Sequence, residues 1–115
     1  MIFSENEHVQ KIVNKQKTQT RRSSDRYKLG GFYAIQPTRT SKGIPDGKIL
    51  IINKFKETDF NVPISQFDAK AEGGYTPEQY ETLYEKMHPN WQERYAYHFV
   101  FFKMKMVNFL LGKEG

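Results

Sequence analysis

Apolar side chains fall into short groups along this chain, and the spacing inside each group predicts the element it forms. Val9, Ile12 and Val13 follow helical spacing, and Ser4 with Glu7 three positions on reads as a capping box. Together they predict an amphipathic helix over about residues 5 to 15. Gly30-Gly31 then punctuates the chain before Phe32-Tyr33-Ala34-Ile35, a run of strand composition. Asp46-Gly47 is a turn signal leading into Lys48-Ile49-Leu50-Ile51-Ile52, a second strand. Because Ile49 to Ile52 is unbroken and not alternating, it predicts a central strand covered on both faces.

The second half is patterned as clearly. Val62-Pro63-Ile64-Ser65-Gln66-Phe67 reads as a short helical turn, followed over residues 68–75 by an irregular loop containing Gly73-Gly74. Thr76 as N-cap, Pro77 at the first helical position and Gln79 completing a capping box open a helix. Tyr80, Leu83, Tyr84 and Met87 form its apolar stripe, and Pro89 ends it. A long aromatic strand follows over residues 95–104. The apolar ending over residues 104–111 fits a last core element, a pairing surface or neither, and oligomeric state has no signal in the sequence.

Charge changes this picture at one place. Between Lys11 and Lys28 seven basic side chains face the single acid Asp25, while the rest of the chain holds eleven basic and twelve acidic groups. The chain is basic only there. The polar stretch from Gln16 to Lys28 has no apolar period and predicts a loop at a helix exit. Arg forks, Lys point charges and hydroxyls together suit a phosphate or nucleic-acid site, although a solvated basic turn has the same composition. Part of the charge also has a structural reason, since Lys11 and Lys15 complement the negative end of the preceding helix.

At 115 residues the chain has room for one domain, residues 1–115, and 15% aromatic residues supply its core. With no Cys, disulfides and thiolate metal sites are excluded. His8, His88 and His98 lack the close spacing of a metal-binding helix, so they read as surface or packing residues, and neither metal nor cofactor is expected. No apolar run approaches the roughly 20 residues that span a bilayer, and no leader pattern opens the sequence, so a soluble cytoplasmic protein without membrane partners is expected.

Lys17-Thr18-Gln19-Thr20-Arg21-Arg22 resembles the Lys-x-x-Thr-x-Arg signature of ASCH domains, a branch of the PUA-like superfamily. The resemblance extends over about residues 3 to 102. It takes in the Gly-rich strand entry Leu29-Gly30-Gly31-Phe32-Tyr33, the acidic loop from Asp68 to Thr76, and the aromatic strand after Trp91. It implies an α+β fold, a PUA-like mixed β-barrel of about five or six strands with two or three flanking helices. Two positions depart from the pattern: Lys15 stands where a glycine is usual, and Thr20 where a glutamate is common. The second departure resembles a subset of small amidohydrolases acting on N4-acetylcytidine, which implies catalytic roles for Lys17, Thr20 and Glu72.

The residues themselves are compatible with that chemistry. A threonine hydroxyl becomes a nucleophile when a neighbouring base takes its proton, and a desolvated lysine is such a base. Glu72 then protonates the leaving amine or holds the base nitrogen, or simply pairs with Lys17. Arg21 and Arg22 suit a phosphate or carbonyl, while Tyr75 and Tyr97 are either stacking platforms for a nucleobase or core aromatics. Lys17 and Thr20 share a face if their segment is a helical turn and oppose one another in a regular strand. Three functions stay open: an N4-acetylcytidine-type amidohydrolase, a non-catalytic module binding RNA or a modified nucleoside or nucleotide in a basic cleft, and a metal-independent ribonuclease.

Overall fold

The computed structural model describes residues 1–3, 6–58 and 64–112, with the Asn6 side chain also left out of the description. Ser4 of the expected capping box and Val62-Pro63 of the expected helical turn lie outside these residues. Four helices and four strands run in the order α1 (Asn6–Val13), β1 (Gln19–Arg22), β2 (Phe32–Ala34), β3 (Gly47–Glu57), α2 (Gln66–Ala71), α3 (Pro77–Met87), β4 (Arg94–Lys103) and α4 (Met104–Leu110). The strands form one antiparallel sheet in the order β1-β4-β3-β2. The fold is thus α+β, with one helix more and at least one strand fewer among the described residues than the resemblance implied.

The sheet core follows from alternation in β3 and β4. Ile49 and Ile51 pair with Phe101 and Phe99, and all four are buried on the face that α1 covers with Val9 and Ile12. On the other face Ile52 is 53% exposed, so β3 is central in the sheet but covered on one side only, contrary to the two-sided burial expected of its apolar run. Ile52 points outward by alternation after Ile49 and Ile51, and the register shift between Ile51 and Asn53 turns Asn53 outward as well. Gly47 is required where β3 starts, because a Cβ there would lie 2.1 Å from the Phe102 carbonyl oxygen.

Two further expectations are corrected. The polar stretch expected as a loop contains β1, whose Thr20 and Arg21 stand opposite Tyr97 and Ala96 of β4. An edge strand buried under polar contacts needs no apolar period, which is why periodicity misses it. The loop expected over residues 68–75 begins as α2, whose N-cap Ser65 accepts a hydrogen bond from the Asp68 N–H at 3.1 Å and whose Ala69 is buried. In α3 the capping box on Thr76 and Gln79 forms as expected; Tyr80 and Tyr84 are buried, whereas Met87 is exposed. A second apolar cluster of Ile64, Ala69, Tyr80 and Tyr84 joins α2 to α3. The open C-terminal segment is α4, which buries Val107 and leaves Phe109 and Leu110 exposed.

Candidate functional site

Lys17 is aimed by the way α1 ends. Lys15 adopts a left-handed conformation (φ 63°), and the N–H groups of Gln16 and Lys17 both donate to the Lys11 carbonyl. This is the position where the ASCH pattern usually has glycine, the residue that takes positive φ without strain. Lys17 therefore lies before the first residue of β1, and strand parity does not apply to it. Its side chain and that of Thr20 line one cavity of about 370 Å³ between the two apolar clusters.

Glu72 reaches the same cavity from α2, where it is the C-cap residue. Gly73 and Gly74, both at positive φ, turn the chain immediately afterwards, and a Cβ on Gly73 would press within 3.2 Å of the Tyr75 ring. The turn brings Tyr75 and then Tyr80 to the cavity wall. Phe3, Arg22 and His8 line it from the amino-terminal side, with Leu83, Met87 and His88 from α3.

Four polar side chains of this cavity are almost fully buried: Lys17 at 3% exposure, Thr20 and Arg21 at 5% and Glu72 at 1%. The Lys17 ammonium donates to the Glu72 carbonyl and lies 3.6 Å from Glu72 Oε1. Arg21 Nη1 donates to the second carboxylate oxygen, Oε2, at 2.9 Å. Burial lowers the Lys17 pKa to about 8, with Glu72 opposing the shift and Arg22 reinforcing it. Tyr80 also faces Glu72, and burial, with that carboxylate beside it, pushes its hydroxyl well above the usual phenol range.

Thr20 makes no hydrogen bond to Lys17 among the described residues; its Oγ1 accepts from Arg22 Nε at 3.3 Å. An accepted bond leaves the hydroxyl's own proton available. Arg22 also donates to the Ile2 carbonyl at 2.6 Å and lies 4.8 Å above the Phe3 ring, so its guanidinium is held at the cavity edge. Arg21 differs, since its guanidinium is occupied by carboxylates: Nε donates to Glu57, Nη2 lies 3.5 Å from Asp68, and Nη1 holds Glu72.

The structure thus brings together Lys17, Thr20, Glu72, Arg21, Arg22 and Tyr75 from the sequence-derived set, and leaves Tyr97 out. Tyr97 is fully buried in the sheet core, packs edge-on against Tyr27 at 5.5 Å, and donates to the Ser24 carbonyl at 2.6 Å. Inward alternation on a central strand makes it core. Reading the residues missed Tyr80, His8 and His88. Tyr80 was visible only as part of a helical stripe, and no local signal marks the two histidines. His8 Nε2 lies 2.9 Å from the Tyr75 hydroxyl, which ties α1 to the cavity wall. Among the described residues no cluster of His, Asp and Glu has the arrangement to hold a metal ion, and no helix is long and apolar enough to cross a membrane.

No protein-family model matches the sequence, and no curated protein does. The fold does match solved structures. Two crystal structures of the ASCH protein ZmASCH from Zymomonas mobilis, one with a tyrosine changed to phenylalanine and one with a serine changed to alanine, superpose with a TM-score of 0.58 at 16% identity. Each covers 99% of this chain, which spans 82% and 80% of theirs. The chain therefore has an ASCH-like fold, as the Lys17-x-x-Thr20-x-Arg22 resemblance led us to expect.

Proposed function

We propose that this protein is a metal-independent amidohydrolase that removes the acyl group from an N4-acylated cytidine nucleoside. The observation that carries the reading is the burial of Lys17, Thr20 and Glu72 on one cavity of about 370 Å³, a volume suited to a nucleoside-sized ligand. A lysine whose pKa falls to about 8 through burial is partly neutral near physiological pH. It takes the proton of the Thr20 hydroxyl as the oxygen attacks the acyl carbonyl carbon. Collapse of the tetrahedral intermediate breaks the bond to the exocyclic nitrogen, and the Lys17 ammonium returns the proton to that leaving amine. Water then hydrolyses the acyl-threonine, with Lys17 again as base. Glu72 holds the base nitrogen, Arg22 the acyl oxygen or sugar, and Tyr75 stacks on the ring.

An RNA-binding module or a metal-independent ribonuclease has less support. Of the seven cations in the basic segment, Lys17 and Arg21 are buried against carboxylates and Lys11 pairs with Glu7 at 2.9 Å. These three cations are therefore not open to a phosphate backbone, which leaves Lys15, Arg26 and Lys28 as the exposed ones. A PUA-like barrel remains part of this reading, supported by the parallel bridge of Ile2 to Gln36. That bridge lets the first residues link the β2 side of the sheet to Arg22 of β1. The test is turnover: wild-type protein should release cytidine from N4-acetylcytidine, and Lys17→Ala or Thr20→Ala should lower kcat at least about a hundredfold. Absence of turnover by folded wild type excludes the reading.

A further inference from the structure

Resting on the hydrolase reading above, we infer that Arg21 is a positioning residue of this site: its permanent charge shares Glu72 with Lys17, so that Lys17 can release and regain a proton while the buried carboxylate always keeps a counter-cation. The two carboxylate oxygens are divided between the cations. Oε2 takes Arg21 Nη1 at 2.9 Å, and Oε1 faces the Lys17 ammonium at 3.6 Å. Glu72 is 1% exposed, so bulk solvent screens its charge little.

The need for a second cation follows from what faces Lys17. From α1 come Lys11 and His8, from β1 Arg22, from α3 Tyr80 and His88, and from the intervening turn Tyr75; Glu72 is the one carboxylate among the described cavity-lining residues. If Lys17 were its sole cationic partner, loss of the lysine proton would leave the buried carboxylate without a counter-cation. Such a pair would hold the proton and remove the base. Arg21 prevents this because a guanidinium does not titrate in the working range.

Arg21 is itself held from behind. Its side chain is 2% exposed, its Nε donates to Glu57, and Nη2 lies 3.5 Å from Asp68. Glu57 therefore competes with Glu72 for the same guanidinium. The competition gives a signature that simple loss of packing does not: removing Arg21 and removing Glu57 should move Lys17 in opposite directions. Without Arg21, Glu72 acts on Lys17 alone and the Lys17 titration moves to higher pH. Without the Glu57 charge, Arg21 neutralises Glu72 more fully and the Lys17 titration moves to lower pH.

The experiment is an NMR titration of the Lys17 side-chain resonance in ligand-free protein, assigned by its loss in Lys17→Met, alongside pH profiles of kcat/KM for N4-acetylcytidine. Arg21→Gln should raise the midpoint by about one pH unit and Glu57→Gln lower it by roughly a few tenths. The acid limb of the profile should move by the same amounts, and Arg21→Lys should restore much of the wild-type midpoint. Unmoved midpoints, or shifts of the same sign, overturn the role of Arg21 even if wild type turns over. Opposite shifts in a protein without turnover uphold the charge sharing and remove the hydrolase reading alone. Should Arg21→Gln fail to fold, Glu57→Gln decides: a midpoint that does not fall overturns the inference.

Discussion

Two buried cations share Glu57, and the contrast between them separates a candidate site from a structural joint. On one side, Arg21 leads through Glu72 to Lys17 and a cavity. On the other, Arg94 has no exposed surface. Its guanidinium donates to Glu81 Oε1 at 2.6 Å, lies 3.4 Å from Glu57 Oε2, and stands 4.2 Å from the Trp91 ring and 4.8 Å from Tyr84. Both clusters bury charge to similar depth. They differ in that the first ends on a titratable amine facing empty space, whereas the second ends on a permanently charged group enclosed by aromatic faces. Burial of charge alone does not mark a reactive centre; a group able to change protonation beside room for a ligand does.

The largest break between the two should come from removing each cation. Lys17→Met should abolish turnover while preserving the fold, since Glu72 keeps Arg21. Arg94→Met should lower unfolding free energy by about 3 kcal/mol, read by chemical denaturation, because Glu57 and Glu81 lose their shared partner, and should move the pH profile only by roughly the few tenths of a unit that a freer Glu57 exerts through Arg21.

A comparable effect is expected from pH, and only on the Lys17 side. A lysine whose folded pKa is about 8, against the ordinary value of 10.5, binds fewer protons in the folded than in the unfolded state between those pH values. Stability therefore rises with pH across that window. The unfolding free energy of wild type relative to Lys17→Met should climb by up to about 3 kcal/mol from pH 8 to 10.5, measured by urea melts at both ends. An Arg94→Met background should show the same climb, because a guanidinium contributes no proton there.

The smallest effect sharpens the contrast from outside both clusters. Lys15→Gly should stabilise the protein by about 1 kcal/mol by relieving a non-glycine residue at φ 63°. Because the turn that aims Lys17 is kept, the midpoint of the pH profile should not move. A lost profile would mean that the Lys15 side chain itself contributes to the site.

Local chemistry made several elements legible before any coordinates. Thr76 and Gln79 encode the start of α3 by their own hydrogen bonds, with Pro77 at its first position, and Asp46-Gly47 with the apolar run after it encodes the start of β3. These signals act within a few residues and need no distant partner. The Lys17-x-x-Thr20-x-Arg22 pattern likewise pointed to an ASCH-like fold and to residues that prove to line one cavity. Where partners are distant, the reading failed. The strand β1 was hidden because its stability comes from pairing with β4 and from carboxylates 36 to 51 positions away, not from an apolar period. Tyr97 and Tyr80 carry the same ring chemistry in the sequence. Only the inward face of β4 makes the first a core residue, and only the turn at Gly73-Gly74 brings the second to Glu72.

Sequence alone thus determined which segments form helices and strands wherever capping, turn and alternation rules operate, and which side chains hold the chemistry to ionise, attack or stack. Tertiary structure decided which of those side chains meet, how far each is removed from water, and which cation shares which carboxylate. The reason is physical: propensity and periodicity act over a turn or a strand repeat, whereas desolvation and ion pairing depend on neighbours that only the folded chain assembles.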